Sequence, residues 1–266
     1  KGMSFVRGSA LDLVHHRLFI ADQSNSRILV FNLDSSNNLI DRIADYVLGQ
    51  PDFITNTGST TQNGINTPIS IAYDPDNNRL FLADTLNNRI LIYDLSSGIT
   101  NFMNASYVLG QPDFITATAN TTQNGLNSPS DGMVYEPLTQ KLFLADQSNR
   151  RVVVYDLSSG ITNGMNASYV LGQADFTSSA GALTQSNFHG PRAVAYDVLS
   201  KQLFVSDDVL GGTANRILVF DATSITNGEN AVAVLGQVNF TSNATGVSQS
   251  LVTRPFSMQF DSVNRR

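Results

Sequence analysis

Ile69-Ser70-Ile71-Ala72-Tyr73, Arg79-Leu80-Phe81-Leu82-Ala83 and Arg89-Ile90-Leu91-Ile92-Tyr93 follow one another closely, each a largely apolar run. Asp74-Pro75-Asp76-Asn77-Asn78 separates the first two, and Asp84-Thr85-Leu86-Asn87-Asn88 the last two. Asp and Asn side chains bond their own backbone and Pro presets φ, so both separators predict tight turns. Short runs rich in Ile, Leu, Phe and Tyr between such turns predict β-strands. Their continuous apolar character, without polar alternation, predicts burial on both faces. Tyr107 to Leu109 begins a fourth run, and no window carries the apolar spacing of a helix.

The surrounding chain repeats this pattern. Leu-Gly-Gln begins at Leu48, Leu109, Leu171 and Leu235, at steps of 61, 62 and 64 residues. An acid followed by Asn and Arg occurs as Asp22 and Arg27, Asp84 and Arg89, Asp146 and Arg151, and Asp207 and Arg216, at steps of 62, 62 and 61. Two independent markers with one period define one structural unit used several times. Four antiparallel strands per unit, stacked radially, describe an all-β fold, the β-propeller. The blades are expected at approximately 1-67, 68-128, 129-190 and 191-254, with the first strand of a fifth unit at 255-266, all in one propeller domain spanning 1-266. The first strand of the first unit is expected from Met3 to Leu11. Each unit also carries a polar segment after Leu-Gly-Gln, such as Pro51 to Thr67, which reads as a surface excursion.

Leu80-Phe81-Leu82-Ala83-Asp84 followed by Asn87-Asn88-Arg89-Ile90-Leu91-Ile92-Tyr93 resembles the NHL repeat. The same signature recurs at Leu18–Phe31, Leu142–Tyr155 and Leu203–Phe220, and from the second unit on a Pro stands ahead of each unit with, five or six residues on, Tyr or Phe before an acid. The resemblance implies a bacterial-type NHL propeller, commonly a six-bladed ring, of which four blades and one strand are here; a closed four-bladed ring is the alternative. The chain therefore reads as a fragment of a longer one. Propellers resembling NHL proteins include amidating lyases and lactone hydrolases with sites at the channel mouth.

Composition narrows the function. Charged residues are 14% of the 266, and 16 Lys and Arg against 22 Asp and Glu give a net charge of −6. A scattered acidic excess disfavours nucleic acid as a partner. No run of apolar residues is long enough to span a bilayer, so no membrane insertion is expected within this segment. With no Cys, disulfides, thiolate metal sites and cysteine nucleophiles are excluded. The Asn- and Thr-rich, weakly charged surface suggests an extracytoplasmic protein. Asn104, Asn120, Asn166, Asn239 and Asn243 each open an Asn-x-Ser/Thr sequon, read here as a product of composition.

The repeated pairs Asp22 and Arg27, Asp84 and Arg89, Asp146 and Arg151, and Asp207 and Arg216 are expected to be scaffolding, since they recur in every unit. Asp74 to Asn78 lacks the ligand spacing of a calcium loop. His15 and His16 read as solvated turn residues. Departures from the repeat are the candidates for ligand binding. After the Pro that opens each first strand stand Ile69, Ser130-Asp131, Arg192 and Phe256, and His189 lies just before Pro191. The third unit has an extra residue there, predicting a β-bulge at Asp131-Gly132. Asp131, His189, Arg192 and Phe256 are thus expected at the mouth of the channel. The fourth unit also stretches its second connection through Asp208 to Ala214, a tolerated insertion or a lid. No catalytic motif, metal site or cofactor signature is present, so none is expected. The favoured function is a non-enzymatic scaffold recognising protein or glycan through its loops and channel mouth. A lyase or lactone-type hydrolase, and a purely structural array, are the alternatives.

Overall fold

The computed structural model describes residues 2–208 and 214–261. They form four four-stranded antiparallel sheets, each laid out in chain order. The first holds β1 (Val6–Asp12), β2 (Arg17–Asp22), β3 (Arg27–Asn32) and β4 (Tyr46–Leu48). The second holds β5 (Pro68–Asp74), β6 (Arg79–Asp84), β7 (Arg89–Asp94) and β8 (Tyr107–Leu109). The third holds β9 (Pro129–Glu136), β10 (Lys141–Asp146), β11 (Arg151–Asp156) and β12 (Tyr169–Leu171), and the fourth β13 (Pro191–Asp197), β14 (Gln202–Asp207), β15 (Arg216–Asp221) and β16 (Ala233–Leu235). The first strand of the first sheet thus begins at Val6, later than the expected Met3.

The chain divides into two compact units, Lys1–Ala119 with Gly160–Met165, and Asn120–Ser159 with Asn166–Arg266. Each unit contains two of the sheets. In the first, Phe19, Ile28, Leu48, Leu80, Leu91 and Val108 close one core; in the second, Phe143, Val152, Leu171, Val205, Leu218 and Phe220 close another. These residues come from second, third and fourth strands, which explains the continuous apolar runs: both faces of each middle strand are covered.

Neighbouring sheets within a unit are joined by an aromatic contact. Tyr73 stacks on Phe19 at 5.9 Å and Tyr196 on Phe143 at 5.5 Å between ring centroids. Phe260 stacks on Phe204 at 5.8 Å, so the segment after Pro255 lies where a next first strand would lie. Residues 255–261 nevertheless carry no strand pairing, unlike the expected fifth-unit strand. A first strand takes its ladder from its own second strand, and no such strand follows among the described residues.

The predicted bulge belongs to every unit. Each first strand shifts register near its start, between Val6 and Ser9, Pro68 and Ile71, and Pro191 and Val194, and opposite Leu144 and Asp146 for β9. The third is larger, because Pro129 and Met133 face Asp146 and Leu144. At Gly132 a Cβ would fall 2.2 Å from the Arg192 carbonyl oxygen, so β9 and β13 approach too closely for a side chain there.

The edge strands are clasped. Val47 N–H donates to Asn101 Oδ1 at 2.9 Å while Phe102 N–H donates back to Val47 O at 2.9 Å. Asn163 with Gly164 does the same for Val108, and Asn227 with Gly228 for Val170. A short fourth strand is thereby kept from presenting an open edge.

The excursions are surface loops with buried anchors. Ile65, Leu126 and Phe188 are fully buried, and the Leu-Gly-Gln glutamines Gln50, Gln111 and Gln173 are buried beside them. Gln50 Nε2 donates to Ser26 O at 2.8 Å and Thr57 O at 2.9 Å, and Gln111, Gln173 and Gln237 make the equivalent pair of bonds. The preceding glycine has φ near the left-handed region, +83° at Gly172, and a Cβ there would meet Phe188 at 2.0 Å. Leu-Gly-Gln is therefore the stitch that ties each excursion to its sheet.

Candidate functional site

The repeated acid and base form buried ion pairs. Arg27, Arg89 and Arg151 each place Nε 2.7 Å from Oδ2 of Asp22, Asp84 and Asp146, and Arg216 reaches Asp207 at 2.8 Å. Asp84 also accepts the Asn66 amide at 2.6 Å and Asn87 Nδ2 at 2.9 Å. Arg89 turns its remaining donors on the carbonyls of Thr61 and Gly64, both at 3.0 Å, and of Phe114. Burial pushes the Asp84, Asp146 and Asp207 carboxyls up, while the paired guanidinium pulls them down. With both partners bonded inside the fold, the pair holds excursion, turn and sheet together.

Asp131, His189, Arg192 and Phe256 all lie in the second unit, and Arg192 links Asp131 with Phe256. β13 carries Arg192 buried, its Nη1 3.6 Å from Asp131 Oδ2 on β9 and its guanidinium carbon 4.2 Å from the centre of the Phe256 ring. Its Nε donates to the Asp208 carbonyl oxygen at 3.0 Å. The His189 and Gly190 amides both donate to Asp207 Oδ1, at 2.8 and 2.7 Å, which fixes the entry into β13.

Two members of this cluster escaped the sequence reading. Asp208 is fully buried, and among the described residues neither carboxylate oxygen has a hydrogen-bond partner. Arg254 Nε stands 3.9 Å from Asp208 Oδ2, beyond hydrogen-bond reach, and its guanidinium also lies over Phe256 at 5.4 Å. Burial raises the Asp208 carboxyl above its ordinary value, opposed by Arg192, Arg254 and His189 and reinforced by Asp207. The signal was in the repeat: Gln23, Thr85 and Gln147 follow the conserved-position acid in the other units, where the fourth reads Asp207-Asp208. Likewise Arg254 precedes its Pro where Thr67 and Ser128 stand. The rest of the stretched connection, residues 209–213, lies outside the described residues, so the lid reading is a matter for sequence alone.

In the first unit, His15 and His16 are bonded, not simply solvated. His15 Nδ1 lies 3.1 Å from Asp12 Oδ2 and 3.2 Å from Tyr73 Oη, and His16 Nδ1 lies 2.8 Å from Asn37 Oδ1. His15 occupies the turn position from which Asn77 bonds Asp74 through Nδ2 at 2.9 Å, so it is a variant of a repeated turn contact. Among the described residues no group of three or more His, Asp and Glu is arranged to hold a metal ion, and no helix is long and apolar enough to cross a membrane.

Four-stranded antiparallel sheets repeated along the chain, each holding the same buried ion pair and joined within a unit by the same aromatic contact, define a β-propeller. The solved structures agree on that class. The chain is similar to one in the crystal structure of the nidogen/laminin complex, with a TM-score of 0.53 and 17% identity over 97% of this chain and 69% of that one. It is also similar to Kuenenia stuttgartiensis hydrazine synthase, with a TM-score of 0.52 and 13% identity over 88% of this chain, spanning 49% of that chain. These likenesses show the fold alone. No protein-family model matches the sequence, and no curated protein matches it either.

Proposed function

We propose that this propeller is a non-enzymatic recognition scaffold of the NHL type, binding a protein or glycan partner at the face of its second unit that carries Asp131, His189, Arg192 and Phe256. The observation that carries the reading is the contrast between two sets of charged residues. The repeated Asp and Arg pairs are consumed by the fold, whereas the charges that depart from the repeat gather around Arg192 and include, among the described residues, a buried carboxylate with no hydrogen-bond donor. A repeat protein acquires a particular ligand where its units differ. The nidogen/laminin neighbour, a propeller held in a protein complex, supports the binding class.

The test is a partner screen run in parallel on the wild type and Arg192→Ala, against immobilised glycans and candidate extracellular proteins. The reading expects at least one partner retained by the wild type and weakened tenfold or more by Arg192→Ala. Equal retention by the two proteins removes the face around Arg192 from the function.

A further inference from the structure

We propose that the outer edge of β16 is a docking site for a segment of the form Ile-Thr-Asn-x-x-Asn-Ala, carried by another unit of this repeat and not by a second copy of the same chain. Three edges of this kind are already covered. On β4, β8 and β12 the outward N–H and C=O of Val47, Val108 and Val170 pair with an Asn and with the residue after it. A second, reciprocal pair lies four residues on: Ala105 N–H donates to Gln62 O at 3.0 Å while Gln62 Nε2 donates to Ala105 O at 2.9 Å. Ala167 with Gln123, and Ala231 with Gln185, repeat it. The covering segments, 99–105, 161–167 and 225–231, all read Ile-Thr-Asn-x-x-Asn-Ala.

The fourth edge has the receiving half of this contact. Val234 faces Leu218 in the register in which Val170 faces Val153, so its N–H and C=O point away from β15. Gln249 stands three residues before Val252, which lies against Gly236 as Phe188, three residues after Gln185, lies against Gly172. Among the described residues no segment bonds Val234 or Gln249 from outside. Leu235 is 46% exposed where Leu48, Leu109 and Leu171 are at most 1%, and Gln249 is exposed as well. An open strand edge is a template for added backbone. The filled edges state what fits this one: an Asn oxygen for the Val234 N–H, an amide for its carbonyl, and an Ala whose backbone is free for Gln249. The residue after the Asn sits at φ +58°, +64° and +67° in Phe102, Gly164 and Gly228, which favours Gly there. A second copy does not supply this set. Its three such segments are engaged, and its first unit carries Ile40 in the place of Asn101 and Asp41, outside the left-handed region, in the place of Phe102.

The experiment titrates the whole protein with a synthetic peptide that has the sequence of residues 157–168, and follows amide exchange at Val234 by NMR. A short peptide orders only on binding, so the titration runs to about 1 mM. The expected result is saturable slowing of exchange at Val234 by about fivefold or more. The peptide carrying Asn163→Ala should lose that effect. On the protein side, Gln249→Ala should weaken peptide binding about threefold or more, the loss of one side-chain hydrogen bond. Gln249 is exposed, so this variant should melt with the wild type, which guards against a folding artefact. Arg192→Ala should leave the peptide effect unchanged, which separates this edge from the recognition face. Unslowed exchange at Val234 at the highest peptide concentration overturns the proposal, and so does equal slowing by the Asn163→Ala peptide or equal binding by Gln249→Ala. Slowing that grows with protein concentration in the absence of peptide also overturns it, since the occupant is then a second copy.

Discussion

Arg151 shows what a repeated charge does in this molecule. Its guanidinium bonds Asp146 at 2.7 Å and the carbonyls of Phe176, Thr122 and Gly125 at 2.6, 3.0 and 2.8 Å. Removing one partner of a buried pair strands the other, so Arg151→Met is expected to cost about 3–5 kcal/mol in a denaturant titration; a loss under 1 kcal/mol would mean that the pair is dispensable. The exposed Asp113 gives a gentler, pH-dependent case. The Thr116 hydroxyl and the Thr116 and Ile115 amides hold its carboxyl below the ordinary range. A folded pKa below the unfolded one contributes stability above the ordinary carboxylate range, and that contribution fades as pH falls through the lower value. Asn239 makes the same turn bonds without a charge in the fourth unit. Asp113→Asn should therefore match the wild type at pH 7 and lose less stability on acidification to pH 3. Spacing alone exposed the Asp and Arg repeat, but Asp208 was hidden inside an apparent insertion, because only packing brings its backbone carbonyl to Arg192.

At the scale of elements, strand positions were legible because the turn chemistry of Asp74 to Asn78 and Asp84 to Asn88 brackets apolar runs of fixed length. The excursion after Leu-Gly-Gln was legible only as polar sequence; its anchoring was not, since Gly172 meets Phe188 from sixteen residues away in the chain. That contact yields a paired prediction. Gly172→Ala combines a left-handed φ of +83° with a collision against Phe188, whereas Gly98→Ala has φ +94° and no atom within 4 Å of the new carbon. Gly98→Ala should cost roughly 1–3 kcal/mol of backbone strain, and Gly172→Ala measurably more. Equal midpoints in chemical denaturation would show that the Gly172 contact does not matter. The edge clasp is testable through exchange: Asn227→Ala removes the acceptor for the Val170 amide, 3.0 Å away, and should accelerate hydrogen exchange at Val170 with a stability loss of about 0.5–1.5 kcal/mol. Unchanged protection at Val170 would show that the strand holds its edge without the clasp.

For the whole molecule, one repeat accounts for both the fold and most of its polar composition. Asn, Thr and Gln recur because each unit needs the same turn, the same clasp and the same stitch. The propeller class followed from period and strand length, and the solved β-propellers share it. The ligand did not follow, because near-equivalent blades differ at only a few positions and their meaning depends on which side chains the sheets bring together. Arg192, Asp131 and Phe256 meet within the second unit, joined there by Asp208 and Arg254. The central claim is that recognition happens at this departure from the repeat and not across the repeated loops. It is tested most directly by hydrogen–deuterium exchange on the protein with and without the partner that the screen returns. The account predicts new protection confined to residues 189–194 and 254–258; protection spread equally over the loops that follow each Leu-Gly-Gln would contradict it.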